Sequence, residues 1–464
     1  MNKFRKEHDL LGDMDVPFEA YYGIQTLRAK ENFFITGVRL SQYPTLIIGL
    51  AQVKKAAALA NHHVGDLSED IKDGISQACD EIIDGELHSQ FIVDPIQGGA
   101  GTSTNMNINE VVANRALEIM GHKKGEYKYC HPNTHVNMSQ STNDAYPTAF
   151  RIALYEKLHL LEDSMNILKK SYLNKSKEFH HIIKMGRTQL QDAVPMTLGQ
   201  EFKTYYTMIK DDLKVLKDAR NLVREMNLGG TAIGTGINSH PEYPSIVREY
   251  LQEITGRPFK TADDLVEATQ NTGAFVQISG VLKRIAVRVS KVCNDLRLLS
   301  SGPRTGFNEI NLPAVQPGSS IMPGKVNPVI PEVVNQVAFQ VIGSDVTISM
   351  ASEAGQLQLN VFEPIIVYNL FQSISMLCRA FETLAAKCID GITANEDRCR
   401  ELVLNSIGLV TALNPVLGYE NSTLVAKEAL ETGNSVYAIV LDRELITKEE
   451  LDDYLKPENM IRHR

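Results

Sequence analysis

The run GSSIMPGKVNP, residues 318 to 328, sets two hydroxyls, a lysine and an amide within one glycine- and proline-rich loop. Such groups hold anions, because free backbone N–H groups, hydroxyls and an ammonium all donate toward one point. The anion is not a nucleotide phosphate. A Walker loop needs four residues between its glycines and a Ser or Thr after the lysine to hold magnesium. Here five residues separate Gly318 from Gly324, and Val326 follows Lys325. Valine cannot ligate a metal ion.

Three further segments are dense in small hydroxyl and amide side chains: GGAGTSTNMNINE (98–110), HVNMSQSTND (135–144) and GRTQLQD (186–192). Each taken singly reads equally well as a helix cap or turn, where Ser, Thr, Asn and Asp are the usual occupants. Four such clusters exceed what a helical chain needs for capping. Jointly they describe a neutral hydrogen-bonding cradle suited to carboxylates, with Lys325 as its positive charge. The competing reading of Lys325 is a solvated surface lysine.

Other chemistries lack their residues. There is no HExxH, and the pairs His62-His63 and His180-His181 do not have i, i+4 ligand spacing. There is no GxSxG elbow. GTAIGTG (230–236) does not space its glycines as GxGxxG. The tripeptide Ala-Ser-Gly, precursor of an internal electrophile, is absent. A Schiff base from Lys325 to pyridoxal phosphate stays open, but nothing else favours it. Six cysteines lie scattered with no CxxC pair, which suggests neither a zinc site nor a redox motif.

The elements that must position these clusters are helical. One apolar run steps through Leu154, Leu158, Leu161, Met165, Leu168 and Tyr172, a second through Phe202, Tyr206, Ile209, Leu213 and Leu216. A third passes through Ile278, Leu282, Ile285, Val289, Val292, Leu296 and Leu299. Steps of three and four place these residues on single stripes, the pattern of long helices packed nearly parallel in a bundle. The helical texture breaks at RTQLQDAVP, at NLGGTAIGTGINSHPEY and across 301–328. By texture the chain falls into three parts: a mixed, mostly helical 1–142, a long-helix bundle 143–397, and a small helical 398–464.

Composition is that of an ordinary globular protein, 43% hydrophobic and 22% charged. The net charge of −9 gives no reason to expect nucleic acid as a partner. The stretch MNKFRKEHDLLGDMD has no apolar core of signal-peptide length, and no apolar run approaches the ~18 residues of a membrane span. The expectation is a cytoplasmic protein with no membrane partner.

Taken in order and spacing, GGAGTSTNMNINEV, HVNMSQSTNDAYPTA, KMGRTQLQDAVPMTLGQEF and GSSIMPGKVNP resemble the motifs of the fumarase/aspartase superfamily across nearly the whole chain. The form GGAGTS, Thr142 in SQSTND, and glutamine rather than histidine at position 189 resemble the aspartase branch more than the fumarase branch. Gln189 also removes an ionisable group, so any mechanism must work without it. The resemblance implies a mainly α, three-domain fold with a long central helical bundle. It implies a homotetramer with each active site shared between three subunits.

The activity it implies is reversible elimination of ammonia from L-aspartate to give fumarate, with the fumarase reaction on L-malate as the alternative. Lyases acting on larger fumaryl conjugates resemble this loop less closely. Removing the Cβ proton loads a second negative charge onto the adjacent carboxylate, an aci-carboxylate, so donors must wait where that charge develops. By resemblance, Ser319 is the base. Thr102, Ser141, Thr142 and Ser320 hold the β-carboxylate, and Lys325 and Asn327 the α-carboxylate. Asn143, Thr188 and Gln189 lie near the amino group and β-carboxylate. No metal ligand and no cofactor is called for, while an activating divalent cation such as Mg2+ stays open.

Overall fold

The stripe from Leu154 to Tyr172 lies along one helix of 37 residues, and all six of its apolar positions are fully buried. The third stripe, Ile278 to Leu299, is likewise buried along its whole length. These belong to a computed structural model of the chain that describes residues 3–460 and is mostly helical. Residues 1–2 and 461–464, the outer ends of the first and last expected parts, lie outside the described residues. The helices that matter for the site are, in chain order, α1 (Pro44–His63), α2 (Thr102–Ile119), α3 (Thr142–Glu178), α4 (Leu198–Arg220), α5 (Gly273–Leu299), α6 (Val329–Glu353) and α7 (Glu363–Lys387).

On α4 the buried tyrosine is Tyr205, not the expected Tyr206. Both fit a 3–4 step from Phe202, and side-chain contacts choose between them. The Tyr205 ring meets Tyr172 and Phe202 edge-on at 5.7 and 5.5 Å, and its hydroxyl donates to Asp295 at 3.1 Å. Upstream of 142, in the part read as mixed and mostly helical, the chain forms α1 and α2, of 20 and 18 residues.

The chain divides into two compact units. One comprises Met1–Leu161, Val215–Lys283 and Gln340–Ser375. Its core includes an aromatic group in which Phe150 packs on Phe275 at 4.6 Å and on Phe371 at 5.5 Å. A hairpin of β1 (Phe4–Asp9) and β2 (Gly12–Pro17) precedes its helices. The other unit comprises Glu162–Lys214, Arg284–Phe339 and Met376–Arg464.

In that second unit the break at 187–195 is not irregular. It is an antiparallel hairpin of β3 (Ile183–Thr188) and β4 (Gln191–Thr197), with a register shift between Met185 and Arg187. Ile183 and Met185 enter the same apolar cluster as Val403, Leu409, Leu413 and Val425, so the C-terminal helices clamp the hairpin's base. The break at 227–243 is a chain of turns, and that at 301–328 is irregular except for the short strand Ile310–Asn311. Among the described residues no single helix is long and apolar enough to cross a membrane.

Candidate active site

In the first unit a close approach brings two helix starts together. Gly101, the residue before α2, holds φ +93°, and a Cβ there would lie 2.6 Å from the Tyr146 ring on α3. Only glycine has neither the conformational nor the steric penalty. Asn105 of α2 then donates to Thr142 Oγ1 at 3.2 Å. Thr102 is exposed and Ser141, Thr142 and Asn143 are half-buried, so both N-termini keep polar groups facing outward. Helix N-termini carry partial positive charge and free N–H groups, which suits an anion.

The Ser141–Asn143 turn is fixed from beneath by Asp144. One of its oxygens accepts Ser141 N–H at 2.8 Å, and the other accepts Gly229 and Thr231 N–H at 3.1 and 2.9 Å. Burial pushes this carboxyl up to about 6 against those three backbone donors. The GTAIGTG loop is therefore structural support: Asn143 Nδ2 donates to Ala232 O at 2.7 Å, and Asn227 Nδ2 donates to Asn143 O at 2.9 Å.

In the second unit, Thr188 and Gln189 stand exposed at the tip of the β3–β4 hairpin. Thr188 pairs with Gln191, leaving Gln189 and Leu190 as a two-residue turn with φ of +55° and +61°. Hairpin turns with both central residues at positive φ favour Asn-Gly, because side chains are strained there. A buried ion cluster anchors the hairpin: Arg187 Nη1 donates to Glu309 Oε1 at 2.7 Å, and Lys184 pairs with both Glu309, at 3.0 Å, and Glu201. Burial alone would lower the Lys184 pKa, but the two carboxylates outweigh it and hold it above its ordinary value.

The 318–328 loop, in the same unit, is closed at its neck. Gly318 N–H donates to Lys325 O at 2.8 Å, and Asn327 Nδ2 donates to Gly318 O at 2.5 Å. A Cβ on Gly318 would stand 2.4 Å from Lys325 O. Inside the loop, Ser319 Oγ accepts N–H bonds from Ile321 at 3.2 Å and Met322 at 3.1 Å. Two aimed donors stabilise a deprotonated oxygen over a protonated one. Lys325 and Ser320 are exposed. Lys325 and Asn327 join Arg297, Asn308 and Asn311 in the walls of a cavity of about 780 Å³; Ser319, Ser320, Thr188 and Gln189 are not among its walls.

Thus Thr102, Ser141, Thr142 and Asn143 gather in one unit, Ser319, Ser320, Lys325 and Asn327 on one loop of the other, and Thr188 and Gln189 on its hairpin. Sequence reasoning missed Asp144, Lys54, Asn105 and Glu309, which support these groups. A signal existed for Lys54, since it follows Leu50 by four residues on the apolar face of α1. Among the described residues, no three His, Cys, Asp or Glu side chains cluster so as to hold a metal ion.

Comparison with known proteins bears on this arrangement. The family described as Lyase matches residues 12–343, and the one described as Fumarase C C-terminus matches 409–462. An aspartate ammonia-lyase of Helicobacter pylori is 66% identical over 457 residues, 98% of each chain. A crystal structure titled fumarate lyase:delta crystallin, from Brucella melitensis and bound to cobalt, superposes with a TM-score of 0.97. It is 53% identical over 99% of this chain and 100% of that one. The class II fumarase of Schistosoma mansoni has the same fold, TM-score 0.93, at 35% identity over 99% of this chain and 100% of its own.

Proposed function

The chain belongs to the fumarase/aspartase superfamily of lyases, and from that membership we propose that it eliminates ammonia reversibly from L-aspartate to give fumarate. Relatives named for the aspartate reaction share far more of this sequence than the fumarase does, which favours ammonia over water as the leaving group.

The observation that carries the mechanism is the pair of backbone N–H bonds onto Ser319 Oγ. Serine is a weak base at its ordinary pKa, and donors fixed on its oxygen make the alkoxide accessible. Ser319 takes the Cβ proton, and the electron pair moves into the neighbouring carboxylate as an aci-carboxylate. Thr102, Ser141, Thr142 and Ser320 donate to that carboxylate, while Lys325 and Asn327 receive the α-carboxylate. Thr188, Gln189 and Asn143 lie toward the amino end. Collapse of the intermediate expels the protonated amine as ammonia, with no cofactor needed.

The reading includes a homotetramer whose active sites draw on three subunits. Its support is on α6, where Phe339, Gly343, Val346 and Met350 are exposed at spacings of four, three and four. An unpaired apolar stripe with that spacing is the seam of a helix–helix interface.

The test follows fumarate by its ultraviolet absorbance with L-aspartate or L-malate as sole substrate. A rise with L-aspartate alone is expected. A rise with L-malate alone would make the enzyme a fumarase, and no rise with either would remove the reading.

A further inference from the structure

Behind the Thr142 hydroxyl lies a buried cation. Lys54, on α1, is fully buried, and its Nζ donates to Asn105 Oδ1 at 2.7 Å, Gln140 Oε1 at 2.8 Å and Asn137 Oδ1 at 3.0 Å. An ammonium has three donors and no acceptor, so these three neutral oxygens satisfy it completely. Among the described residues no carboxylate is hydrogen-bonded or ion-paired to it.

The arrangement dictates the direction of every amide around it. Each must turn its oxygen to Lys54 and its NH2 away. Gln140 Nε2 accordingly donates to the carbonyls of Val136 and Met138, both at 3.1 Å. Asn105 Nδ2 donates to Asn137 Oδ1 at 3.1 Å and to Thr142 Oγ1 at 3.2 Å. The Thr142 oxygen therefore receives a hydrogen bond from inside the protein. Its own proton is left to point outward.

We propose that Lys54 is a positioning residue for the substrate: acting through Asn105, it fixes the Thr142 hydroxyl as a donor toward the substrate carboxylate. The inference rests on the proposed carboxylate role of Thr142. Without the cation, Asn105 is free to flip and present its oxygen to Thr142, and the hydroxyl then donates inward and offers a lone pair to an anion. A carboxylate repels that lone pair. The relay thus converts a buried charge into the polarity of a surface hydroxyl, and its effect grows as charge accumulates on the carboxylate in the transition state.

Asn105→Asp is the discriminating variant. It keeps the size of the side chain and its acceptor for Lys54, but replaces the donor that faces Thr142 by a second acceptor. We expect the dissociation constant of succinate, an unreactive dicarboxylate, to rise about 10-fold, as for loss of a hydrogen bond to a charged group. The fall in kcat/KM is larger, about 100-fold. Lys54→Met shows the same two changes if it folds; if it does not, Asn105→Asp decides alone.

Thr142→Val separates the relay from a structural role and from the reading beneath it. If the relay holds, adding Asn105→Asp to Thr142→Val changes succinate binding no further, because the hydroxyl it acts through is gone. Additive losses in the double variant, or an Asn105→Asp enzyme that binds succinate normally while Thr142→Val does not, overturn the relay. Normal succinate binding by Thr142→Val itself overturns the carboxylate role of Thr142, and the relay with it.

Discussion

Arg187 and Glu309, 122 residues apart in the chain, meet at 2.7 Å, and the carboxylate end of the pair is fully buried. Arg187 directly precedes Thr188 and Gln189. Glu309 lies within the 301–328 segment that leads into the serine loop. Its carbonyl accepts Asn395 N–H at 2.9 Å, and the neighbouring strand Ile310–Asn311 pairs with Thr393–Ala394. One carboxylate therefore holds the hairpin against the root of the loop.

Glu309→Gln removes the charge, leaving Lys184 paired with Glu201 and, among the described residues, Arg187 without a carboxylate partner. Breaking a buried pair from one side typically costs about 3–5 kcal/mol. The expected outcome is a lower denaturation midpoint in urea together with a lower kcat, since Thr188 and Gln189 lose their anchor. A variant with the wild-type midpoint would show that the cluster contributes nothing to stability.

Ser319→Ala should lower kcat about 1000-fold, within the range for a general base. The Ser319 bonds are local to an outward-facing loop, so thermal unfolding and assembly size stay as in the wild type. Single-turnover assays of fumarate formation measure the loss. Retention of a tenth of the wild-type rate would rule Ser319 out as the base.

Lys325→Met removes the loop's cation but leaves the neck intact, because the neck uses the backbone of Lys325 and not its side chain. A charge-assisted bond to a carboxylate is worth about 10- to 100-fold in binding. KM for L-aspartate should rise by that factor, with a weaker salt dependence than in the wild type. Unchanged KM and turnover would return Lys325 to the status of a solvated surface lysine.

The buried Lys54 predicts opposite pH effects on binding and on stability. Burial pulls its pKa down from 10.5 to about 7, with Asp144 on α3, and to a lesser degree Cys79, favouring the charged form. As pH rises through about 7 the ammonium is lost, Asn105 is no longer locked, and succinate binding weakens. Asp144 is charged above about 6 and resists that loss. For folding, the unfolded chain binds the extra proton between about 7 and 10.5, so this group's contribution to stability rises with pH over that window. Calorimetric titration with succinate checks the first effect, and Lys54→Met should flatten it. A wild-type profile that keeps its slope in Lys54→Met would assign the titration elsewhere.

Much of the architecture was legible because it rests on spacing. The stripes at 154–172 and 278–299 are buried at every position, since a long helix in a core leaves little choice of phase. At 202–216 two adjacent tyrosines fit the same step, and only the contacts of Tyr205 with Tyr172 and Asp295 decide between them. The β3–β4 hairpin went unseen because Gln189-Leu190 is not a recognised turn pair. The outward-facing groups proposed for the site stand in segments marked by clustered hydroxyls and amides. Glu309 carries no such mark, and for Lys54 the one local mark is its place on the apolar face of α1. The partners of both come from distant segments, and no local pattern records such a pairing.

The turn at Gln189-Leu190 also has a consequence for anyone improving this protein by selection. Two side chains held at φ near +60° cost about 1–2 kcal/mol each. A library sorted on heat resistance should enrich Asn-Gly at these codons early, because that pair occupies the turn without strain. The same library sorted on fumarate formation should discard it, since the exchange deletes a group assigned to the amino end of the substrate. At these two positions, endurance and turnover select opposite residues.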